Sequence, residues 1–342
     1  MLANRRENRI DYIDTLRTLA TFGVIILHLS ALNWYNTDIK SLEWNTLNVY
    51  DSCTRCMVPI FVMISGALFL SKKYTIKELY SKKILRIITA FLFWSLLYAI
   101  VFNYHNGIKT IIAELIKGHF HLWFLLMIIQ LYMLVPVFKK IVESEETMKY
   151  FLIIYFAYQI IIPQIVMLLN TANQNSVANI INTNYNKLQL LFGYSGYFIL
   201  GYYLTNKNFS NKHRKIIYIL GIIAVISTIV LSIVESNKYG IAKSTYYNYF
   251  SLNVFTSAIA LFVFSKYNFK ENKIAKYISK ECFRIYLIHV LTYRVLFNVC
   301  NINTLSSNPI LSIPLFALLV FIISFLISVC IKRIPGLNRY II

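Results

Sequence analysis

Three ionisable side chains lie within the first strongly apolar stretch of the chain: Asp14, Arg17 and His28. On a helix that advances about 100° per residue, these three and the hydroxyls of Thr18 and Thr21 fall within one narrow sector. The spacing therefore predicts a single polar stripe. A charged group at the centre of a membrane helix costs about 2.5–3.5 kcal/mol, so such a stripe points to a function.

Arg17 and His28 are suited to two different tasks at two depths. Eleven residues separate them, which is roughly 16 Å along a helix. A guanidinium binds anions, and a neutral imidazole can take a proton from a hydroxyl at physiological pH. We therefore expect Arg17 to hold the anionic end of an elongated ligand and His28 to act as a general base. The alternative is structural, with Asp14 paired to Arg17 and His28 bonded to a neighbouring helix.

Basic and aromatic residues elsewhere provide further candidates. Lys83 and Arg86 belong to the run Lys-Lys-Ile-Leu-Arg at 82–86 and predict a phosphate-binding pair, although ordinary cytoplasmic charge would look the same. His121 and Trp123 begin the fourth apolar stretch, where a tryptophan commonly anchors the membrane interface. We expect this pair to position a substrate at that surface.

Two short motifs complete the set of candidate substrate-binding residues. Ser65 precedes Gly66, a pair that also permits close helix packing, and Tyr286 lies three residues before His289, on the same helical face. A buried, hydrogen-bonded histidine is the plain alternative for His289. No zinc motif or phosphate-binding glycine loop occurs, and the Cys-x-x-Cys at 53–56 stands alone. We expect no metal.

Composition defines the class of protein that must hold these residues. Of 342 residues, 58% are hydrophobic and only 14% are charged, and the mean hydropathy is +0.58. These values exclude an ordinary soluble domain, and the low Gly and Pro content excludes collagen-like and disordered chains. The sequence predicts an all-α, polytopic membrane protein. Its net charge of +20 fits cytoplasmic loops, so we expect the lipid bilayer and no nucleic acid as a partner.

Ten apolar stretches are long enough to cross a bilayer, and we predict one membrane domain over 1–342 with no appended soluble domain. With alternating connections, 25 of the 34 Lys and Arg residues fall on one side, which predicts that both termini are cytoplasmic. The predicted spans are 13–34, 55–71, 86–103, 121–138, 150–169, 188–205, 215–235, 248–265, 282–300 and 309–331.

Several motifs in this order resemble the acyltransferase family 3, which comprises integral membrane O-acyltransferases of about ten spans. The resemblance runs from Asp14 to Gly336, nearly the whole chain. The motifs are Arg17-x10-His28, Pro-Ile-Phe-Val-Met-Ile-Ser-Gly at 59–66, Lys83-x-x-Arg86, His-Leu-Trp-Phe-Leu at 121–125, Gly193 to Gly201, and Ile-Tyr-Leu-Ile-His at 285–289.

This resemblance implies transfer of an acyl group, most often acetyl, from cytoplasmic acyl-coenzyme A to a hydroxyl of an envelope polysaccharide or lipid-linked sugar. Arg17 and His28 match the family's functional arginine and histidine, and Lys83 with Arg86 matches its basic pair. The family often has Arg where Lys83 stands and Ser where Cys282 stands. Asp14 would then orient Arg17, while His121 and Trp123 would position the acceptor.

Two other interpretations remain open at this point. A transporter of a small polar solute or amino acid could line its path with the same stripe. Inverted repeats of Gly- or Pro-broken helices would favour a transporter, and no such repeats are visible in the sequence. Alternatively, the enzyme could transfer a succinyl or longer acyl group.

Overall fold

The computed structural model describes residues 10–171 and 193–334, and this part of the chain contains helices and no strand. We label its main helices in chain order. They are α1 Asp11–Trp34, α2 Leu42–Thr54, α3 Met57–Leu70, α4 Leu85–Asn103, α5 Ile108–Lys117, α6 Trp123–Met133, α7 Val135–Val142, α8 Glu145–Tyr155, α9 Ile162–Thr171, α10 Ser195–Asn206, α11 Asn211–Tyr239, α12 Leu252–Asn268, α13 Lys273–Ile278, α14 Cys282–Cys300 and α15 Pro309–Lys332.

The prediction of a polytopic all-α membrane protein is confirmed. Nine helical segments in the described ranges are long and apolar enough to span a bilayer, and each overlaps one of the predicted spans. The remaining prediction, 188–205, corresponds to α10, and its residues 188–192 lie outside the described part. Residues 335–342, which close the family resemblance, also lie outside it.

Several segments differ from the predicted spans. Helices α2, α5 and α13 lie where only a connection was predicted. Helices α2 and α3 together make a 29-residue apolar segment and are separated by Arg55 and Cys56. The predicted span 121–138 is two helices, α6 and α7, which meet at Leu134 because Pro136 occupies the first turn of α7.

Helix α1 lies at the centre of the bundle. It packs against α2, α3, α12, α13, α14 and α15. The side chains that it buries are mostly aliphatic, and they share the interior with the polar stripe. Because α1 is covered on most sides, its stripe faces other helices and not lipid.

Helices α3 and α10 approach so closely that their backbones touch through glycine. A methyl group added at Gly66 would lie 1.7 Å from the carbonyl oxygen of Phe198, and one added at Gly201 would lie 2.0 Å from that of Met63. Backbone atoms cannot move aside as a flexible side chain can. The contact therefore fixes α3, and with it Ser65, at a set depth.

We expect Gly66→Ala to lower the apparent unfolding temperature markedly. The free energy of unfolding should fall by roughly 1–3 kcal/mol or more, since that range is the usual cost of overpacking. Gly23→Ala is the matched control, because its new methyl group would meet only the flexible side chain of Met57. Thermal unfolding of both variants in detergent measures the difference. Equal unfolding temperatures would show that the α3–α10 contact is not rigid.

Candidate functional site

A cavity of about 320 Å³ opens among α1, α3, α4, α6 and α14. Five of its lining side chains are basic and none is acidic. Its deeper wall is largely apolar. The lining residues are Arg17, Phe61, Ile64, Ser65, Phe69, Lys82, Lys83, Arg86, Ile87, Phe124, Ile128, Tyr132, Ser279, Lys280, Cys282, Phe283 and Tyr286.

The polar stripe of α1 faces α13, the turn that follows it, and α14. Ser279 donates a hydrogen bond of 2.6 Å to Oδ1 of Asp14, and the hydroxyl of Thr18 lies 3.4 Å from the carbonyl oxygen of Ala275. Asp14 is buried, whereas Arg17 is half-buried and lines the cavity. Across the described ranges Arg17 makes no ion pair, so the expected pairing with Asp14 is not formed.

The lysines at the mouth of the cavity stand on a turn of π-helix, Leu79–Ile84. Thr75 and Glu78 form a capping box at the start of this segment, and Glu78 lies 3.6 Å from Lys82. π-Helical turns widen the backbone and are frequent at functional sites. Here the turn presents Lys82 and Lys83 to the same cavity as Arg17.

A buried ion cluster anchors the start of α14 beside this mouth. Glu281 accepts hydrogen bonds from Nε of Arg284 at 2.6 Å, from Ser328 at 2.7 Å and from Lys332 at 3.1 Å. Burial by itself raises the pKa of the Glu281 carboxyl, but these hydrogen bonds outweigh it and hold the pKa below its usual value. The carboxylate is therefore ionised at neutral pH, and it ties α14 to α15.

A cluster of histidines lies beyond the deep end of the cavity. Nδ1 of His28 is 2.8 Å from Nε2 of His289, and the ring centroid of His121 lies 6.5 Å from that of His28 and 5.6 Å from that of His289. Nδ1 of His119 lies 3.0 Å from Nδ1 of His121. The first helix, the ninth predicted span and the start of the fourth thus contribute to one site.

Three aromatic rings run in a row from the cavity lining to the histidine cluster. We call them the aromatic layer: Phe61, Phe124 and Tyr286. Their ring centroids follow one another at 6.1 and 5.6 Å, and Tyr286 lies 5.7 Å from both His121 and His289. The hydroxyl of Tyr286 donates to the carbonyl oxygen of His121. Tyr286 therefore belongs both to the cavity lining and to the edge of the histidine cluster.

Trp123 belongs to neither group. Its side chain is 38% exposed and stacks on Tyr249 at 6.0 Å, with Tyr194 nearby at 5.8 Å. Close to these tyrosines, the guanidinium of Arg55 bonds the buried Asp51 at 2.6 Å and covers the ring of Tyr247. This aromatic surface stands at the end of the bundle opposite the basic mouth.

The structure thus sorts the predicted site residues into separate places. Arg17, Ser65, Lys83, Arg86 and Tyr286 line one cavity, His28, His121 and His289 form the cluster beyond it, and Asp14 and Trp123 lie outside both.

Sequence reasoning missed several residues of the site. Lys280 and Tyr132 were not among the candidate residues, and the sequence carries no signal that distinguishes them. Phe61 and Phe124 were given no role, although both stand inside the motifs quoted at 59–66 and 121–125. All five cysteines are described and unpaired, and the described ranges hold no group of residues suited to a metal ion.

The fold and the cavity define a polytopic helical membrane protein in which a cavity lined by five basic side chains adjoins a buried histidine cluster. Residues 10–331 match the family model described as an acyltransferase domain, and the chain belongs to this family, the acyltransferase family 3. The resemblance predicted from the motifs is thereby confirmed. No curated protein and no solved structure matches the chain.

Proposed function

We propose that this membrane acyltransferase moves an acyl group, acetyl in the first instance, from acyl-coenzyme A to a hydroxyl of an envelope carbohydrate. One observation carries the proposal: five cations and no acid line a cavity whose deep end adjoins a histidine cluster. The nucleotide part of coenzyme A carries several phosphates, and such a cationic lining is suited to them. Because the cytoplasm supplies this donor, the proposal has the basic mouth and both termini face the cytoplasm.

In this proposal Arg17, Lys83 and Arg86 hold the phosphates, and the acyl end points towards the aromatic layer. Arg17 and His28 are roughly 16 Å apart along α1, so the donor must be elongated. Ser65 and Tyr286 also line the cavity. In this proposal Ser65 lies beside the part of acyl-coenzyme A that carries the acyl group, and Tyr286 lies at the acyl end. Lys83 in place of arginine can supply a point charge but no bidentate bond.

His28 then acts as general base. It takes the proton of the acceptor hydroxyl, whose oxygen attacks the thioester carbonyl carbon. The carbon–sulfur bond breaks, an ester forms, and the departing coenzyme A thiolate takes the proton back from His28. A positioned base of this kind contributes about 10²–10⁴ in rate. His121 lies beside His28 there, with ring centroids 6.5 Å apart.

The acceptor would approach from the opposite end of the bundle. Trp123 and its stacked tyrosines offer ring faces there, and sugar rings pack well on such faces. We propose a lipid-linked sugar or an envelope polysaccharide as the acceptor. No metal takes part in the proposed step.

The test is incubation of the purified protein, in detergent or nanodiscs, with acetyl-coenzyme A and an envelope glycan fraction. In one arm the acetyl group is labelled, and in the matched arm the adenine is labelled. We expect label in carbohydrate from the first arm alone. Label in neither arm, together with uptake of a small solute by proteoliposomes, would favour the transporter interpretation instead.

A further inference from the structure

The two hydrogen bonds of His289 fix which of its nitrogens carries the proton. Its Nδ1 lies 2.6 Å from the carbonyl oxygen of Tyr286, which can only accept. Nδ1 of His289 is therefore the donor, and Nε2 of the neutral ring is an acceptor. The partner of that acceptor is Nδ1 of His28, at 2.8 Å, so His28 must donate from Nδ1.

A neutral imidazole that is protonated at Nδ1 has its lone pair at Nε2. His28 is half-buried, whereas His289 is completely buried. In this arrangement His28 keeps Nε2 as its only basic nitrogen, on the side of the ring away from His289. The tautomer of the proposed base thus follows from the backbone of the turn that contains Tyr286.

The turn that carries His289 is also bonded to another helix. The hydroxyl of Tyr98 on α4 donates to the carbonyl oxygen of Leu287 at 2.8 Å and accepts from the amide of Leu291 at 3.1 Å. In a regular helix these two groups pair with each other, so Tyr98 bonds both ends of one helical rung. The backbone around His289 is thereby tied to α4.

We propose that His289 is a positioning residue that orients His28 and fixes its tautomer, so that Nε2 receives the proton of the acceptor hydroxyl. This proposal rests on the proposed function. A carboxylate commonly orients a catalytic histidine, but here a second neutral imidazole does so. The hydrogen-bond partners of the His289 ring in the described part of the chain are Nδ1 of His28 and the carbonyl oxygen of Tyr286, and neither is a carboxylate.

Two substitutions of His289 differ in whether they keep its hydrogen bond to His28. In His289→Gln the longer side chain places an amide near the former Nε2, where its oxygen can still accept from His28. In His289→Asn the amide reaches only the position of Nδ1, so the bond to His28 is lost. We expect His289→Asn to lower kcat about tenfold to a hundredfold, a range typical of lost orienting partners. His289→Gln should restore most of that loss, and KM for acyl-coenzyme A should not change in either variant.

Tyr293→Phe is the control for packing, because this ring also touches His289 at 6.4 Å but not His28. We expect wild-type kcat from it. Equal kcat values for His289→Gln and His289→Asn, at equal thermal stability, would overturn the positioning role.

A second measurement does not depend on the reaction. In ¹⁵N-histidine-labelled protein, the nitrogen shifts of His28 report which ring nitrogen bears hydrogen. We expect protonated Nδ1 in the wild type and in His289→Gln, and a mixture of tautomers in His289→Asn. Wild-type protein with His28 protonated at Nε2 would overturn the inference. An Nδ1-protonated His28 in a protein that transfers no acyl group would leave the hydrogen-bond chain standing and would contradict the proposed function.

Discussion

Replacing His28 by asparagine should abolish most acyl transfer while leaving the protein folded and able to bind its donor. Asparagine places an amide where Nδ1 of His28 stands, so the contact with His289 can persist, but no basic nitrogen remains. We expect kcat to fall by about 10²–10⁴, which is the usual contribution of a general base. The dissociation constant for acyl-coenzyme A should be unchanged, because His28 does not line the cavity.

The matched control for this variant is His105→Asn, since His105 is exposed and packs only on Tyr104. Steady-state transfer of labelled acetyl and calorimetric binding of acetyl-coenzyme A should be measured on both variants. If His28→Asn transfers acetyl at the rate of His105→Asn, His28 is not the base. If His28→Asn also loses binding of acetyl-coenzyme A, His28 takes part in donor binding in the cavity.

Replacing Arg17 by alanine should weaken the binding of acyl-coenzyme A, which the His28 variant should leave unchanged. Arg17 lines the cavity and has no acidic partner in the described ranges, so its charge is available to a ligand phosphate. A charge-assisted hydrogen bond contributes about 1.5–3 kcal/mol, so we expect the dissociation constant for acyl-coenzyme A to rise by roughly tenfold to a hundredfold. Arg17→Lys should show an intermediate loss, because lysine keeps the charge without the bidentate geometry.

Arg294→Ala is the matched control, because Arg294 also lies within a long apolar helix, α14, but outside the cavity lining. Its guanidinium lies over the ring of Tyr293. Calorimetric titration with acetyl-coenzyme A in detergent should separate the two arginines. Equal affinities for Arg17→Ala and Arg294→Ala would remove Arg17 from the donor site.

Much of the fold was predictable because lipid imposes long apolar segments. One exception is α2: Asn45, Asn48 and Asp51 lower its hydropathy, and it is buried against α1 and α11 instead of lipid. Its start at Ser41, whose side chain caps the amide of Trp44, is a signal that the sequence does contain. Hydropathy alone does not detect helices that are buried in protein.

The site was predictable along one helix and much less so between helices. The stripe from Asp14 to His28 follows from helical geometry, which is local. The pairing of His28 with His289 joins residues 261 positions apart, and no local rule relates them. Trp123 was grouped with His121 because the two are neighbours in sequence, but residues two apart on a helix point to different sides, and the structure separates them accordingly.

The aromatic layer of Phe61, Phe124 and Tyr286 has a consequence for the energy that a membrane stores. One elementary charge that crosses a potential of 100 mV releases about 2.3 kcal/mol, so a continuous water column through the bundle would discharge an ion gradient. The three rings belong to the lining of the cationic cavity, and Tyr286 among them reaches the histidine cluster. In the proposed reaction an acyl group would need only to displace one ring there, whereas a hydrated proton or sodium ion would first have to shed its water. Such a row of rings would oppose ion leakage during a reaction that joins the two sides of the bilayer.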